Sequence, residues 1–152
     1  MGISFTIQNS NFNGDLSVSN DCPDCLYLSN GYSLWKSEDY GLNFILLDSI
    51  FSWKFAVNDM DTSNIIVGDV DIQSSLDGGQ SFNTTASWHL GNPINGAGSY
   101  SDNFNTSNHF THADLRCAKS INGVFYVGTD GFFCKSTDRG MTWKKLREEF
   151  LK

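Results

Sequence analysis

The stretch richest in reactive side chains is His109-Phe110-Thr111-His112-Ala113-Asp114-Leu115-Arg116. An imidazole or a carboxylate within hydrogen-bond reach of a substrate moves protons, and a guanidinium grips a carboxylate or a sugar oxygen. If the run from His112 onward is an innermost strand, its period of two sets His112, Asp114 and Arg116 on one side and Ala113, Leu115 and Cys117 on the other. Two readings follow. In one, Arg116 holds a ligand while His112 or Asp114 transfers a proton. In the other, the trio is a buried ion-pair ladder that orients the chain before it, and this has the better claim because structural ion-pair networks mimic sites. His109 and His112 with Asp114 also offer three metal ligands, but His-x2-His-x-Asp on a loop entering a strand matches no closed zinc set. No metal and no cofactor is therefore expected. Asp69, Asp71 and Asp130 lie in turn sequences, where capping the backbone or facing solvent is a commoner role than holding calcium.

The elements that must position these groups are marked by a turn written three times. It reads Ser37-Glu38-Asp39-Tyr40-Gly41-Leu42-Asn43-Phe44, Ser75-Leu76-Asp77-Gly78-Gly79-Gln80-Ser81-Phe82 and Ser136-Thr137-Asp138-Arg139-Gly140-Met141-Thr142-Trp143. The Asp carboxylate accepts hydrogen bonds from backbone N–H groups further along the turn, and Gly41, Gly79 and Gly140 supply a positive φ. The closing aromatic (Phe44, Phe82 or Trp143) opens the next strand and is expected to bury its ring against a neighbouring unit. Upstream of each turn, Leu26-Tyr27-Leu28, Ile65-Ile66-Val67 and Phe125-Tyr126-Val127 occupy matched places, which is the mark of a repeat protein.

The signature resembles the Asp-box, or bacterial neuraminidase repeat, of sialidases, family 74 glycoside hydrolases and sortilin-type receptors, which are β-propellers. Trp143 completes that pattern in the third copy; Asn43 and the two Phe residues make the first two degenerate. His112-Ala113-Asp114 followed by Val127-Gly128-Thr129-Asp130-Gly131 adds to the likeness in the last third of the chain. The resemblance implies an all-β fold, a partial propeller of about three four-stranded antiparallel blades. It says less about activity, because the family places the box at the blade periphery. Sialidases of this fold use three arginines around a carboxylate, whereas here Arg139 lies in a box and Arg147 in the tail, leaving Arg116 alone. A family 74 type of hydrolysis needs two acids across a cleft, for which Asp69, Asp71 and Asp114 are the candidates.

In chain order, Ile3-Ser4-Phe5-Thr6-Ile7 alternates as a strand does, so residues 3–13 are a candidate outer strand of a preceding blade. Blade one spans 14–51, with strands at Asp15 to Ser19, Leu26 to Leu28, Tyr32 to Lys36 and Phe44 to Leu47. Blade two spans 52–88, with strands at Trp53 to Val57, Asn64 to Val67, Asp71 to Ser74 and Ser81 to Thr85. Ser37 and Ser75 lie 38 residues apart, but Ser75 and Ser136 lie 61 apart. The excess is an inserted loop at 89–111. Blade three covers 112–147, from His112 to Ala118, Val124 to Val127, Phe132 to Lys135 and Thr142 to Leu146. In such a meander the box is the turn between strands three and four. The turns between strands two and three, and the crossings from one blade to the next, share the opposite face. A ligand face is expected there, lined by Asn30, Tyr32, Asp69, Asp71, Thr129 and Asp130 beside the insert.

Composition narrows the function. Seventeen acids against ten basic residues give a net charge of −7, which argues against a nucleic-acid partner. No apolar run of 18 residues predicts a membrane span, and Met1 to Phe5 lacks the pattern of a signal peptide. Cys22 and Cys25 are placed to close a hairpin loop by a disulfide; Cys117 and Cys134, separated by a strand, are expected to be buried and unpaired. Asn83-Thr84-Thr85 and Asn105-Thr106-Ser107 match the glycosylation acceptor pattern. The expectation is a non-catalytic, secreted or extracellular binding or scaffold module, part of a longer protein, recognising glycans or protein partners. The alternative is a fragment of a glycoside hydrolase. Three blades fall short of the roughly four that close a ring, so further blades of a parent chain, or copies of this one, are expected partners.

Overall fold

The computed structural model describes residues 14–88 and 108–146. The candidate strand at 3–13, most of the insert at 89–111 with its acceptor Asn105, and the tail with Arg147 lie outside the described residues.

Among the described residues, twelve strands form three separate four-stranded antiparallel meanders. The first sheet holds β1 (Asp15–Ser17), β2 (Leu26–Ser29), β3 (Leu34–Ser37) and β4 (Ile45–Asp48). The second holds β5 (Lys54–Asn58), β6 (Asp61–Gly68), β7 (Ile72–Ser75) and β8 (Asn83–Ala86). The third holds β9 (Leu115–Ile121), β10 (Val124–Thr129), β11 (Phe133–Ser136) and β12 (Lys144–Lys145). No helix among the described residues is long and apolar enough to cross a membrane.

Two cores lie between successive sheets. Tyr27, Leu34 and Cys25 of the first sheet meet Phe55, Val57, Ile65 and Val67 of the second. Ala56, Ile66, Ile72 and Ala86, from the other side of the second sheet, meet Leu115, Phe125, Val127, Cys134 and Trp143 of the third. Alternate residues of β6 serve alternate cores, which is why Ile65-Ile66-Val67 is unbroken apolar sequence. Each such side chain, fully buried, contributes roughly 1.5–3 kcal/mol of transfer free energy.

The three Ser-x-Asp-x-Gly turns have one geometry, each joining strands three and four of its sheet. The Ser75 hydroxyl donates to the Asp77 carboxylate at 2.7 Å and accepts the Gly79 N–H at 2.8 Å, while Asp77 accepts the Ser81 N–H and hydroxyl. Ser37, Asp39, Gly41 and Asn43 repeat this, as do Ser136, Asp138, Gly140 and Thr142. Both residues after the Asp have positive φ: Tyr40-Gly41, Gly78-Gly79 and Arg139-Gly140. Turns between strands one and two interlock on this same side of the sheets. Asp21 accepts the Thr62 N–H of the next sheet, and Asp59 accepts the Asn122 and Gly123 N–H groups of the third. Burial pushes the Asp59 carboxyl up, but these bonds and that of Ser120 outweigh it and hold it low.

Three expectations are corrected. The first strand of the third sheet begins at Leu115, not His112, because Asp114 takes a left-handed φ of 65° that ends any strand before it. Cys117 is exposed rather than buried: Gly128 pairs with Cys117 and Thr129 with Leu115, so Arg116 is an extra, bulged residue that resets the alternation. Phe44 is 39% exposed, whereas Trp143 is buried and Phe82 packs against the first core. Trp143 and Phe82 have a preceding sheet to pack on, and Phe44 has none among the described residues.

Candidate binding face

The first strands of the three sheets run side by side, β5 in contact with both β1 and β9. Lys54 reaches back to Asp15 at 2.7 Å, and the Ser17 hydroxyl accepts the Val57 N–H. This alignment brings the turns between strands two and three, and the crossings between sheets, to one end, opposite the Ser-x-Asp-x-Gly turns. Backbone bonds tie them: the Ser52 N–H to the Gly31 carbonyl, the Trp53 N–H to Gly68, and the Leu115 N–H to Asp69.

Tyr32 stands 70% exposed because the Asn30 carboxamide accepts the Tyr32 and Ser33 N–H groups and Gly31 takes a φ of 89°, forcing a tight turn at the end of β2. Its ring lies 5.6 Å from Phe51, and Phe51 lies 6.5 Å from Trp53, both on the crossing between the first two sheets. The three rings, with Asp15, Ser29, Asn30 and Lys54, line an open groove of about 450 Å³. Phe51 and Trp53 were not marked by sequence reasoning. Their signal was two aromatics flanking a serine in a crossing, where nothing in the repeat requires apolar residues.

Trp53 links the groove to the charged group. The Arg116 guanidinium lies 5.7 Å from its ring and forks onto Asp130 at 2.6 and 3.1 Å, with Asp114 at 3.2 Å. All three side chains are substantially exposed, so this is a surface network and not a buried ladder. The Arg116 hydrogen bonds hold the Asp130 carboxyl below its ordinary range, and in return raise the guanidinium.

His112 stands apart from that network. Its ring packs edge-on to Trp88 at 4.5 Å and near Phe132, over Gly131, and its Nδ1 faces the Ala113 carbonyl. Phe110 joins Trp88 and Phe132 in the same cluster, which fastens the two ends of the insert together. His109 Nδ1 lies 3.0 Å from the Thr85 carbonyl. Asp69 accepts the Asp71 N–H and Asp71 accepts the Trp88 N–H, both capping roles. Among the described residues no three His, Cys, Asp or Glu side chains gather in a way that would hold a metal. Cys22 and Cys25 are joined by a disulfide across the first hairpin.

No protein-family model and no curated protein matches the sequence. Solved structures do match. A family 74 glycoside hydrolase from Niastella koreensis superposes with a TM-score of 0.53 at 18% identity, covering 87% of this chain and 22% of that one. The family 74 xyloglucanase from Xanthomonas campestris gives 0.56 at 17%, covering 88% and 23%. YCF48 bound to D1 peptide gives 0.57 at 17%, covering 94% and 42%. The fold is a β-propeller, and the described residues of this chain form three of its blades. It spans less than half the length of each of these structures.

Proposed function

We propose that this chain is a non-catalytic binding segment of an Asp-box propeller protein, recognising a glycan or a protein partner in a secreted setting. The observation that carries the reading is the groove of Tyr32, Phe51 and Trp53, where exposed aromatic rings and one Asp15–Lys54 pair suit a sugar ring or a peptide side chain. The Ser-x-Asp-x-Gly geometry supports the Asp-box assignment, and the Cys22–Cys25 disulfide supports an oxidising compartment. The acids beside the groove favour binding over turnover. A general acid needs a raised carboxyl, yet Asp130, which accepts the Arg116 fork, is lowered.

The competing reading, a glycosidase segment, draws on the family 74 neighbours. Xyloglucan oligosaccharides, the substrate class named for one of them, separate the two. Saturable quenching of tryptophan fluorescence, lost in Trp53→Ala and Tyr32→Ala, without release of reducing ends is the expected result. Release of reducing ends that Asp114→Asn abolishes would establish the enzyme instead. Absence of both would leave a protein partner as the remaining form of the proposal, tested by peptide titration of the same variants.

A further inference from the structure

Each blade has a forward face, turned to the next blade, and a backward face, turned to the one before. Cross-strand registers place Ser17, Tyr27 and Lys36 on the forward face of blade one, Ala56, Ile66 and Ser74 at the same positions in blade two, and Lys119, Tyr126 and Lys135 in blade three. The first of each trio stands where one inner strand meets the next: the Ser17 hydroxyl accepts the Val57 N–H, and Ala56 is buried in the second core. Lys119 takes that place in blade three, where a blade seated in the same way would bury an ammonium. One row along, Gly68 leaves a socket for the next blade, since a Cβ there would stand 2.7 Å from Leu115 Cδ2 of blade three. Its counterpart in blade three is Gly128, and that socket is filled from within the sheet, by Cys117 Sγ at 2.7 Å and Phe133 Cε1 at 2.9 Å from the matching point. The forward face of blade three keeps its apolar position at Phe133 but not the fit that receives a blade.

Charge sets the same face apart. Lys36, Lys54, Arg116 and Arg139 are each ion-paired, and Lys145 lies over the Phe132 ring. Lys119, Lys135 and Lys144 pair with no carboxylate among the described residues. All three lie in one row across the third sheet, with Tyr126 between the first two and Lys135 directly opposite Lys144. Like charges set opposite each other across strands cost stability. In a chain with seventeen acids to ten bases, the unpaired cations are gathered on one face, which is therefore positive on an acidic molecule.

We propose that the forward face of blade three is a docking surface for an acidic peptide segment of a partner protein, with carboxylates on the lysine row and apolar side chains on the residues that border it. Phe133 borders the row on one side and Ile121, opposite Val124, on the other. Phe133 is 62% and Ile121 55% exposed. A sulfated or phosphorylated polymer offers anions but nothing to cover these two side chains, whereas a peptide offers both. An extended peptide sets the side chains of one face roughly 7 Å apart, and flexible lysine stems adapt to that spacing. The surface is separate from the groove of Tyr32, Phe51 and Trp53, which lies at the crossing between the first two sheets.

The test is fluorescence anisotropy of a labelled peptide, titrated with the full chain, in which Glu alternates with Phe and Leu over about eight residues, enough to cross four strands. Saturable binding is expected, weakened about tenfold or more in Lys135→Glu and in Phe133→Ala, each with an unchanged far-UV spectrum, and unaltered in Trp53→Ala. Bound peptide should also slow the reaction of Cys117 with a thiol reagent, because Cys117 and Phe133 flank Gly128 on this face. Lys144→Glu, at an exposed position, replaces Lys135→Glu if the latter fails to fold, and Phe133→Ser replaces Phe133→Ala. Absence of saturable binding, equal binding of the same peptide with Gln for Glu, loss in Trp53→Ala, or an unhindered Cys117 each overturns the proposal. So does a sulfated oligosaccharide that binds more tightly than the peptide and keeps its affinity in Phe133→Ala, which would make the row a surface for polyanions.

Discussion

Asp39 and Asp77 lie at the surface, yet both have carboxyls pulled to about 2. In Asp39 the main cause is the Asn43 N–H and carboxamide; in Asp77 it is the Ser81 hydroxyl, then Ser75. A folded-state value below the ordinary 3.8 means that the ionised form stabilises the fold. That contribution is complete above the ordinary value and disappears as pH falls from about 4 toward 2. The melting temperature is therefore expected to hold between neutral pH and about 4.5 and to drop below it, with a shallower drop in Asp77→Asn. A drop of equal steepness in the variant would remove Asp77 from the account. The glycines of these turns are separable by the same logic. Gly78 (φ 76°) faces open space, so Gly78→Ala should cost about 1–2 kcal/mol from backbone conformation alone. Gly140 (φ 82°) would set a Cβ 2.8 Å from the Ile66 side chain, and Gly140→Ala should cost about 2–4 kcal/mol in urea unfolding. The Ser, Asp and Gly of each turn were legible because each residue type has one local job. The positive φ of Tyr40 and Arg139 was not, since neither type announces it.

At the scale of the strand, legibility stopped where a local irregularity overrode the period of two. Among the described residues ten strands begin within two residues of where apolar alternation puts them; β6 begins three residues before Asn64, and β9 three residues after His112, because Asp114 turns the chain and Arg116 bulges out of the ladder. That single bulge decides both site and cysteines. It leaves Arg116 free to fork onto Asp130, and it turns Cys117 outward while Cys134 remains in the second core. Burial pushes the Cys134 thiol up to about 12, so it is inert as well as inaccessible. With a chromogenic disulfide reagent at neutral pH, one thiol is expected to react promptly in the folded chain and the second only in denaturant. Two prompt equivalents would mean that the third sheet opens readily, and none would mean that Cys117 is covered. The binding face was legible in part for a related reason. Tyr32, Asp114 and Asp130 sit in turns whose residue types stand out, and Arg116 follows directly on one, whereas Trp53 reads as the start of a strand and Phe51 falls between strands until the crossing between sheets places them beside Tyr32.

For the whole molecule, the repeat was legible and the three blades among the described residues followed from counting turns, but the equivalence of their faces was not, because a register comparison across three sheets is needed to see it. Leu34, Ile72 and Phe133 are scattered in sequence and become one position only when each is paired with its strand neighbour. At that position Leu34 and Ile72 are buried while Phe133 is 62% exposed, so among the described residues the third sheet differs from the other two in what covers it and not in its apolar pattern.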